Sequence, residues 1–235
     1  MTAATLRALH VPGHPLLLPN VWDAATARLV EEAGFPVVAT SSLAVAASLG
    51  YADGEQAPAG EMFQAAARIA RAVSVPVTVD AEAGYGLPPA ELVERLLETG
   101  AVGCNLEDTD HTTKRLRPVA EHAEWLAAVR EAAGDALVIN ARVDLFLKGE
   151  PRQVLPEAIE RAKAYLAAGA DCVYPILLRD ADVLEEFVRA VSPGAVNGNR
   201  IPDTDLAAMG IARISLGARL WQDMREWFAG RLKEL

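Results

Sequence analysis

The chain repeats one unit along its whole length: a helix ends, a glycine follows, and a short buried strand begins. The segments "EEAGFPVV", "LETGAVGCNL" and "LAAGADCVYP" carry this unit at three separate places. The strand candidates are nearly continuously apolar, which is typical of parallel strands covered on both faces. They lie at residues 16–19, 37–40, 75–80, 103–108, 136–143, 172–176, 195–199 and 213–217. Strands that alternate with helices in this way predict a parallel sheet.

Amphipathic helices fill the segments between the strands. The clearest places Met62, Ala65, Ala66, Ile69, Ala70 and Val73 on one face. Asp23 is placed to cap the first helix, and Pro89 suits the first position of a later one. Eight such units without a linker predict an α/β fold, a (β/α)8 TIM barrel, as one domain over residues 1–235. The alternative is an open doubly wound sheet, but the first strand-to-helix turn, "LPNVWDAA", lacks the glycine fingerprint of a dinucleotide site.

The composition of the chain limits the kinds of molecule that it can bind. The chain is 51% hydrophobic, enough for one large core, and its net charge of −10 argues against nucleic acid, because phosphate binding needs a basic face. No run approaches the ~18 apolar residues of a membrane span, and the N-terminus lacks the features of a signal peptide. Cys104 and Cys172 lie in apolar strands, which indicates buried thiols in a reducing compartment. We therefore expect a soluble, cytoplasmic protein that acts on a small molecule.

Acidic residues end, or closely follow, three successive strands. Asp53 follows the second strand, Asp80 and Glu82 end the third, and Glu107 ends the fourth. The carboxyl ends of barrel strands meet at one mouth, where catalytic residues collect. Four converging carboxylates repel one another, and a divalent cation removes that repulsion. Oxygen ligands without His or Cys predict Mg²⁺, or Mn²⁺, as the cofactor. The alternative is that each acid caps a helix or faces solvent.

Three other groups are predicted to face these acids. The small residues Thr40, Ser41 and Ser42 end the second strand, and their backbone N–H groups suit an anion-binding nest. Arg142 ends the fifth strand, where it suits bidentate recognition of a carboxylate, or else a salt bridge to Asp144 or Glu107. Asn197 and Asn199 end the seventh strand as site donors or turn residues.

The segments "TSSLAVAASLGYADGE", "TVDAEAGYG", "NLED" and "NARVD", in this order, resemble the isocitrate lyase/phosphoenolpyruvate mutase superfamily. The similarity is closest to its short members, often labelled carboxyphosphonoenolpyruvate phosphonomutase-like, and it covers nearly the whole chain. Members cleave or form a C–C or P–C bond beside a 2-oxo or 2-hydroxy acid through a Mg²⁺-stabilised enolate. They exchange their eighth helix between barrels, so the resemblance implies a homo-oligomer, a dimer or a tetramer.

The resemblance also implies roles for single residues. Asp80 matches the direct metal ligand, and Asp53, Glu82 and Glu107 match acids that hold the metal largely through water. Ser41, Ser42 and Leu43 match the segment that holds the substrate carboxylate and oxo oxygen. Arg142 matches the arginine that binds the anionic end of the substrate, and we expect Asn197 to contribute to substrate binding as well.

One loop departs from the family pattern. Lyases carry Lys-Arg-Cys-Gly-His there, with the cysteine as acid, and mutases carry Lys-Thr-Asn-Ser, whereas this chain has "DTDHTTKRLRP". Ile176 also stands where lyases often have a glutamate. His111, Lys114 and Arg115 are candidates to supply the acid or a clamp, although each also suits a solvated loop. We therefore do not expect an efficient isocitrate or 2-methylisocitrate lyase.

The sequence thus leaves three hypotheses. The first is a Mg²⁺-dependent lyase that cleaves a C–C bond of a small 2-oxo or 2-hydroxy (di)carboxylic acid. The second is a P–C bond mutase or hydrolase that acts on a phosphonopyruvate-like substrate. The third is a 2-oxo-acid-binding protein that retains the metal site without turnover.

Overall fold

The computed structural model describes residues 2–235 as alternating strands and helices. The strands are β1 (Leu16–Leu18), β2 (Asn20–Val21), β3 (Val38–Thr40), β4 (Val77–Asp80), β5 (Gly103–Leu106), β6 (Thr109–Asp110), β7 (Arg115–Leu116), β8 (Val138–Val143), β9 (Cys172–Pro175), β10 (Ala195–Asn199) and β11 (Arg213–Ser215). The helices are α1 (Ala3–Ala8), α2 (Ala24–Glu32), α3 (Ser42–Leu49), α4 (Ala59–Ala70), α5 (Pro89–Glu98), α6 (Val119–Ala133), α7 (Pro151–Ala167), α8 (Ala181–Val191) and α9 (Arg219–Leu232), with a 3-10 turn at Asp144–Leu147.

The main sheet is parallel and closes on itself. β1 pairs with β11, whereas β2 pairs with β3. β1 lies in the first predicted strand, residues 16–19, and β2 follows it directly; the two are separated at Pro19 because proline has no N–H to give to the ladder. Residues 16–21 therefore join the first and last strands, and the barrel has eight strands, as predicted. β6 and β7 form a separate antiparallel hairpin. The predicted (β/α)8 barrel is confirmed; exchange of the last helix is not shown.

Local signals set the helix boundaries. Asp23 and Thr26 form a capping box at the start of α2, and Pro89 occupies the first turn of α5. α4 buries Met62, Ala65, Ala66 and Ile69 against the barrel, so the predicted face is the packed one. These helices surround the strands, and the apolar core lies between the two layers.

The barrel interior below the mouth is polar. Arg213 is fully buried there and donates from Nη2 to Oδ1 of Asn105 at 3.0 Å, and Asn140 donates to the same oxygen at 2.8 Å. Asn197 donates to Oγ of Ser215 at 3.0 Å. These side chains fill the centre of the barrel, so a substrate can enter only the layer above them.

The N-terminal face of the barrel carries a saturated ion-pair cluster. Oδ1 of Asp171 accepts from Nε of Arg7 at 2.6 Å, and Oδ2 accepts from Nη2 of Arg130 at 2.5 Å and from the Ile139 N–H at 2.8 Å. Both carboxylate oxygens of Asp171 have partners, so its charge needs no further ligand. Groups that stabilise a barrel gather at this face, opposite the mouth.

His122 gives the fold a dependence on pH. Its ring is buried against Trp125 and Tyr165, and neither ring nitrogen has a hydrogen-bond partner. Burial, with the charges of Arg117 and Arg161, lowers the pKa of His122 to about 3. The unfolded chain binds this proton near pH 6.5, so the stability due to a neutral His122 is complete above pH 6.5 and decreases as the pH falls toward 3.

We expect the free energy of unfolding of the wild type to fall by about 2 kcal/mol more than that of His122→Phe between pH 7 and pH 5. Phenylalanine keeps the ring packing, and no hydrogen bond is lost. Urea unfolding of both proteins at the two pH values measures the difference, in which the contributions of all other titrating groups cancel. Parallel pH dependences for the two proteins would contradict the prediction.

Candidate active site

A cavity of about 530 Å³ opens at the carboxyl ends of the barrel strands. It brings together nine of the residues that the sequence nominated: Ser41, Ser42, Leu43, Asp53, Asp80, Glu82, Glu107, His111 and Arg142. They come from the loops after β3, β4, β5 and β8, because the carboxyl ends of parallel strands meet on one side of the barrel. Two further nominated residues, Asn197 and Lys114, do not line this cavity.

Asp80 lies at the centre of the acidic wall. Its N–H donates to Oγ1 of Thr40 at 2.9 Å, which fixes the end of β4 against β3. Its Oδ2 accepts from the Ser42 N–H at 3.1 Å. Its Oδ1 is buried and has no hydrogen-bond partner; the nearest cation, Nη1 of Arg142, is 4.0 Å away. A buried carboxylate oxygen without a donor is costly, and a bound cation or water would offset that cost.

Arg142 is held by two carboxylates. Nε and Nη2 donate to Oδ1 and Oδ2 of Asp144 at 3.0 and 3.1 Å, and Nη1 contacts Oε2 of Glu107. Both salt bridges that the sequence allowed are therefore present. They raise the pKa of Arg142 above its ordinary value despite its burial. Since a guanidinium has five N–H groups, two remain for other partners, one of them on Nη1 near Asp80.

Glu107 links this arginine to the loop after β5. Its side chain is buried, and Oε1 contacts Nε2 of His111 while Oε2 contacts Arg142. Burial raises the pKa of Glu107, and its hydrogen bond raises the pKa of His111 in turn. His111 lines the cavity, so its ring combines access to a ligand with a bias toward the protonated form.

The acids repel one another as predicted. Burial, together with the charges of Asp80, Asp53 and Glu107, raises the pKa of Glu82 to about 7. Asp53 lies at the rim, where partial desolvation and the charge of Asp80 also raise the pKa of its carboxyl. Within residues 2–235, no three His, Cys, Asp or Glu side chains converge closely enough to enclose a metal directly. The arrangement suits a cation that has one direct carboxylate ligand and reaches the other acids through water.

The structure corrects the predicted backbone nest. The Ser41 N–H belongs to the barrel, since it donates to the carbonyl of Val21 at 3.1 Å, and the Ser42 N–H is taken by Asp80. The Ser41 hydroxyl accepts from the Ala44 N–H at 3.4 Å and caps α3. In the first turn of α3, the Leu43 N–H is the donor left for an anion. The nest therefore offers one free donor, where three were expected.

Asn197 and Lys114 are also corrected. Asn197 is fully buried and contacts Ser215 inside the barrel, below the cavity, so its nomination as a substrate ligand is not supported. Asn199, two residues later, reaches the mouth instead. Lys114 is exposed in the turn between β6 and β7 and lines an adjoining surface cavity. Asp108 is not a ligand either, because its Oδ2 accepts from Arg161 at 3.0 Å and Tyr165 at 2.7 Å.

One residue of the site was missed by the sequence analysis. Oε1 of Glu55 accepts from the N–H groups of Ala83 at 3.1 Å and Tyr85 at 2.6 Å, and the Glu55 N–H donates to Oε2 of Glu82 at 2.6 Å. Glu55, Glu82 and Tyr85 all have positive φ, at 58°, 50° and 56°. The two loops that carry Asp53 and Glu82 thus hold each other in strained conformations. No local signal predicts this pairing, since its partners are 28 and 30 residues apart.

Comparisons with known proteins agree with this geometry. The sequence model of the phosphoenolpyruvate phosphomutase family matches residues 6–235. The 2-methylisocitrate lyase of Bacillus subtilis (strain 168) is 30% identical over 75% of this chain and 60% of its own length. An oxaloacetate decarboxylase of Rhodopseudomonas palustris (strain BisA53) is 32% identical over 90% of this chain and 76% of its own. A solved structure from Burkholderia cenocepacia J2315, provisionally named a phosphonomutase, superposes with a TM-score of 0.90 at 42% identity over 99% of both chains.

A closed parallel barrel with an acidic cavity at the strand ends, and relatives of this kind, define an enzyme of the lyase and mutase class. The chain belongs to the phosphoenolpyruvate phosphomutase family, within the isocitrate lyase/phosphoenolpyruvate mutase superfamily, as its motifs indicated. Among residues 2–235, the helices are all too short or too polar to cross a bilayer.

Proposed function

We propose that the chain is a Mg²⁺-dependent lyase that cleaves a C–C bond of a small 2-oxo or 2-hydroxy (di)carboxylic acid through an enolate. Mn²⁺ would serve in the same way. The observation that carries the proposal is the buried Oδ1 of Asp80, which has no hydrogen-bond partner and lies among three further acids at the cavity.

The donor set fits a hard divalent cation. Every candidate ligand is a carboxylate oxygen; burial raises the pKa of Glu82 and Glu107, and a cation bound nearby would favour their charged forms. Asp80 would hold the ion directly, with Asp53, Glu82 and Glu107 reached through water. When bound, the cation would act as a Lewis acid toward the oxo or hydroxyl oxygen of the substrate.

The chain itself supplies the fixed donors. The free Leu43 N–H would donate to the substrate carboxylate, and a backbone amide does not titrate. Nη1 of Arg142 lies 4.0 Å from Oδ1 of Asp80, so Arg142 would bind the head of the substrate, where the negative charge develops. This position differs from the anionic end of the substrate, which the resemblance assigned to Arg142. Because Asp144 and Glu107 hold the guanidinium rigidly, its dipoles need no reorganisation during the reaction.

The proton for the departing carbon would come from Nδ1 of His111, because Nε2 is held by Glu107. His111 lines the cavity, whereas Lys114 lies in the adjoining cavity. Neither cysteine replaces the missing acid, since burial raises the pKa of Cys104 and of Cys172 to about 12. Slow turnover of 2-methylisocitrate therefore remains the expectation, despite the 30% identity to the Bacillus subtilis lyase.

A second candidate is P–C bond chemistry on a phosphonopyruvate-like substrate. It is favoured by the 42% identity to the Burkholderia cenocepacia protein provisionally named a phosphonomutase. Turnover of oxaloacetate, phosphonopyruvate and 2-methylisocitrate, each with and without Mg²⁺, tests both. Mg²⁺-dependent loss of oxaloacetate supports the lyase, and consumption of phosphonopyruvate alone supports the mutase. Binding of a 2-oxo acid without any turnover would identify a binding protein and contradict both enzymatic proposals.

Glu55 should control the affinity for the metal without binding it. We expect Glu55→Ala to weaken Mg²⁺ binding by about 10–100-fold, because residues that orient metal-binding groups typically have effects of this size. Glu55→Gln keeps the acceptor oxygen for Ala83 and Tyr85 and should bind Mg²⁺ nearly as the wild type does. Calorimetric titration measures both variants, with Gln56→Ala in the same loop as the control. Equal affinity in Glu55→Ala and the wild type would refute the role.

The last helix indicates a homo-oligomer. α9 has no buried residue, and it exposes Leu220, Met224, Trp227, Phe228 and Leu232. Apolar area of this kind contributes about 25 cal/mol per Å² when a partner covers it, so we expect at least a dimer that packs through α9. Light scattering at micromolar concentration tests this, and a mass near the 25.0 kDa of one chain would contradict it.

A further inference from the structure

Arg213 is a buried arginine without a carboxylate partner. Three arginines are buried among residues 2–235: Arg142, Arg161 and Arg213. The first two each pair with at least two carboxylates. Arg213 is 0% exposed, and its hydrogen bonds go to neutral groups: Nε donates to Oγ of Ser215 at 3.3 Å, and Nη2 donates to Oδ1 of Asn105 at 3.0 Å.

This burial is costly for the fold. Burial lowers the pKa of Arg213, but the guanidinium stays charged at neutral pH because its ordinary pKa is far above 7. Its Nη1 is buried and has no hydrogen-bond partner. A buried charge without a counter-charge destabilises a protein, and an apolar side chain of similar volume would avoid that cost. Residues that break the rules of burial in this way are typical of functional positions.

The guanidinium of Arg213 lies close to the predicted metal ligand. Arg213 belongs to β11, and its contact with Asn105 on β5 crosses the interior of the barrel. Asn105 is the partner of Asp80 in the ladder between β4 and β5. Asp80 is also the carboxylate among the groups whose charges act most strongly on Arg213. Arg213 does not line the cavity, so its charge acts on a ligand there without contact.

The neighbours of Arg213 offer it no counter-charge. Asn140 donates to Oδ1 of Asn105, and Asn197 donates to Oγ of Ser215, so these four residues and Arg213 form one buried cluster. The amide oxygens of Asn140 and Asn197 have no hydrogen-bond partners. Open acceptors of this kind suit water and do not hold an anion. The positive charge of Arg213 is therefore left to act on the cavity above.

The cavity needs additional positive charge if it is to bind an anion. Arg142 and a divalent cation would carry three positive charges, whereas the cavity is lined by five carboxylates, those of Asp53, Asp80, Glu82, Glu107 and Asp144. The other arginines of the cavity, Arg179 and Arg219, are exposed, so water and salt screen them. A fixed charge buried below the cavity is not screened, and it needs no reorganisation when negative charge develops on a ligand.

We propose that Arg213 is the buried positive charge that allows this acidic cavity to bind an anion. It raises the affinity for an anionic ligand and lowers the affinity for the metal, and it acts through its electric field without touching either. This inference rests on the proposed function, because it takes the metal and the anionic head of the substrate to lie at Asp80.

Oxalate and oxamate test the role of the charge. The two ions have nearly the same size and shape, but oxalate carries one more negative charge. Calorimetry at saturating Mg²⁺ gives both affinities. We expect Arg213→Met to lower the ratio of oxalate to oxamate affinity about tenfold, the size expected for one unit charge roughly 10 Å away at an effective dielectric constant of about 20. Without either ligand, the same variant should bind Mg²⁺ at least about tenfold more tightly.

A second variant and two controls separate charge from packing. Arg213→Gln also removes the charge but keeps an amide that can donate to Asn105, so it should change both affinities as Arg213→Met does. The thermal unfolding temperature of Arg213→Met should not fall, since an unpaired buried charge is replaced by an apolar chain of similar length. Asn197→Ala alters the same cluster without a change of charge, and Arg7→Met removes a positive charge from the opposite face. Neither control should change the ratio or the Mg²⁺ affinity.

The outcomes distinguish this inference from the proposed function. An unchanged ratio in both Arg213 variants, with normal binding of Mg²⁺ and oxalate by the wild type, would overturn the inference alone. Equal losses of oxalate and oxamate affinity together with weaker Mg²⁺ binding would show that Arg213 only supports the shape of the site, and would overturn it as well. Failure of the wild type to bind Mg²⁺ and oxalate would overturn the proposed function and this inference with it.

Discussion

Replacing Asp80 should abolish Mg²⁺-dependent turnover while the barrel stays folded. In Asp80→Ala we expect the rate to fall by at least about three orders of magnitude, because Lewis-acid stabilisation is worth several kcal/mol and each 1.36 kcal/mol is tenfold in rate. Mg²⁺ affinity, measured by calorimetry, should become undetectable. The fold should persist, since Asp80 lies at the mouth and Oδ1 supports no hydrogen bond in the free protein.

Asp80→Asn tests the charge of Asp80 separately from its shape. The amide keeps the shape of the side chain and an oxygen that can accept from the Ser42 N–H, but it removes the charge. A parallel measurement of thermal unfolding separates loss of metal from loss of structure. Asp171→Asn, at the opposite face of the barrel, serves as a contrast, because we expect it to lower stability without a specific effect on Mg²⁺ affinity. Unchanged Mg²⁺ affinity in both Asp80 variants would remove this residue as the direct ligand.

Replacing His111 should have the second largest effect. We expect His111→Asn to lower turnover by about 10²–10⁴-fold with little change in substrate affinity, because general acid catalysis contributes to the rate of the chemical step. Asparagine keeps a polar side chain near Glu107 but cannot supply a proton at neutral pH. Single-turnover kinetics at saturating substrate isolates this step from binding and release.

Lys114→Met provides the comparison for His111. Lys114 lies in the same loop but lines the adjoining cavity, so its replacement should change turnover far less than that of His111. A large loss in Lys114→Met with normal turnover in His111→Asn would mean that the hairpin of β6 and β7 moves and brings the lysine to the substrate. Normal turnover in both variants would show that the acid is another group or solvent.

The sequence by itself determined the barrel and the position of its mouth. Eight short apolar strands, each followed by an amphipathic helix, have few ways to bury both faces of a parallel sheet, and the closed barrel is one of them. Since the carboxyl ends of all strands then meet, Asp53, Asp80, Glu82, Glu107 and Arg142 had to lie near one another. Periodicity and strand ends are local properties, and they can be read from the chain directly.

Depth within the barrel was decided by the tertiary structure. Asn197 and Asn199 are two residues apart in one strand, so both side chains face the interior of the barrel. Since each residue of a strand rises about 3.3 Å, the two differ in depth by roughly 6.6 Å. One therefore fills the polar layer below the cavity, and the other holds the turn at Leu177. The sequence shows that both face inward, but the stagger of β10 against β9 and β11 sets their depth.

The sequence likewise does not show which acceptor each backbone N–H group binds. Asp80 takes the Ser42 N–H from a loop 38 residues away, and Glu55 takes two N–H groups from the loop after β4. Arg142 pairs with Glu107, which follows a different strand, in addition to its near neighbour Asp144. Each of these choices depends on distances of about 3 Å between segments that are remote in the chain, which only the folded barrel defines.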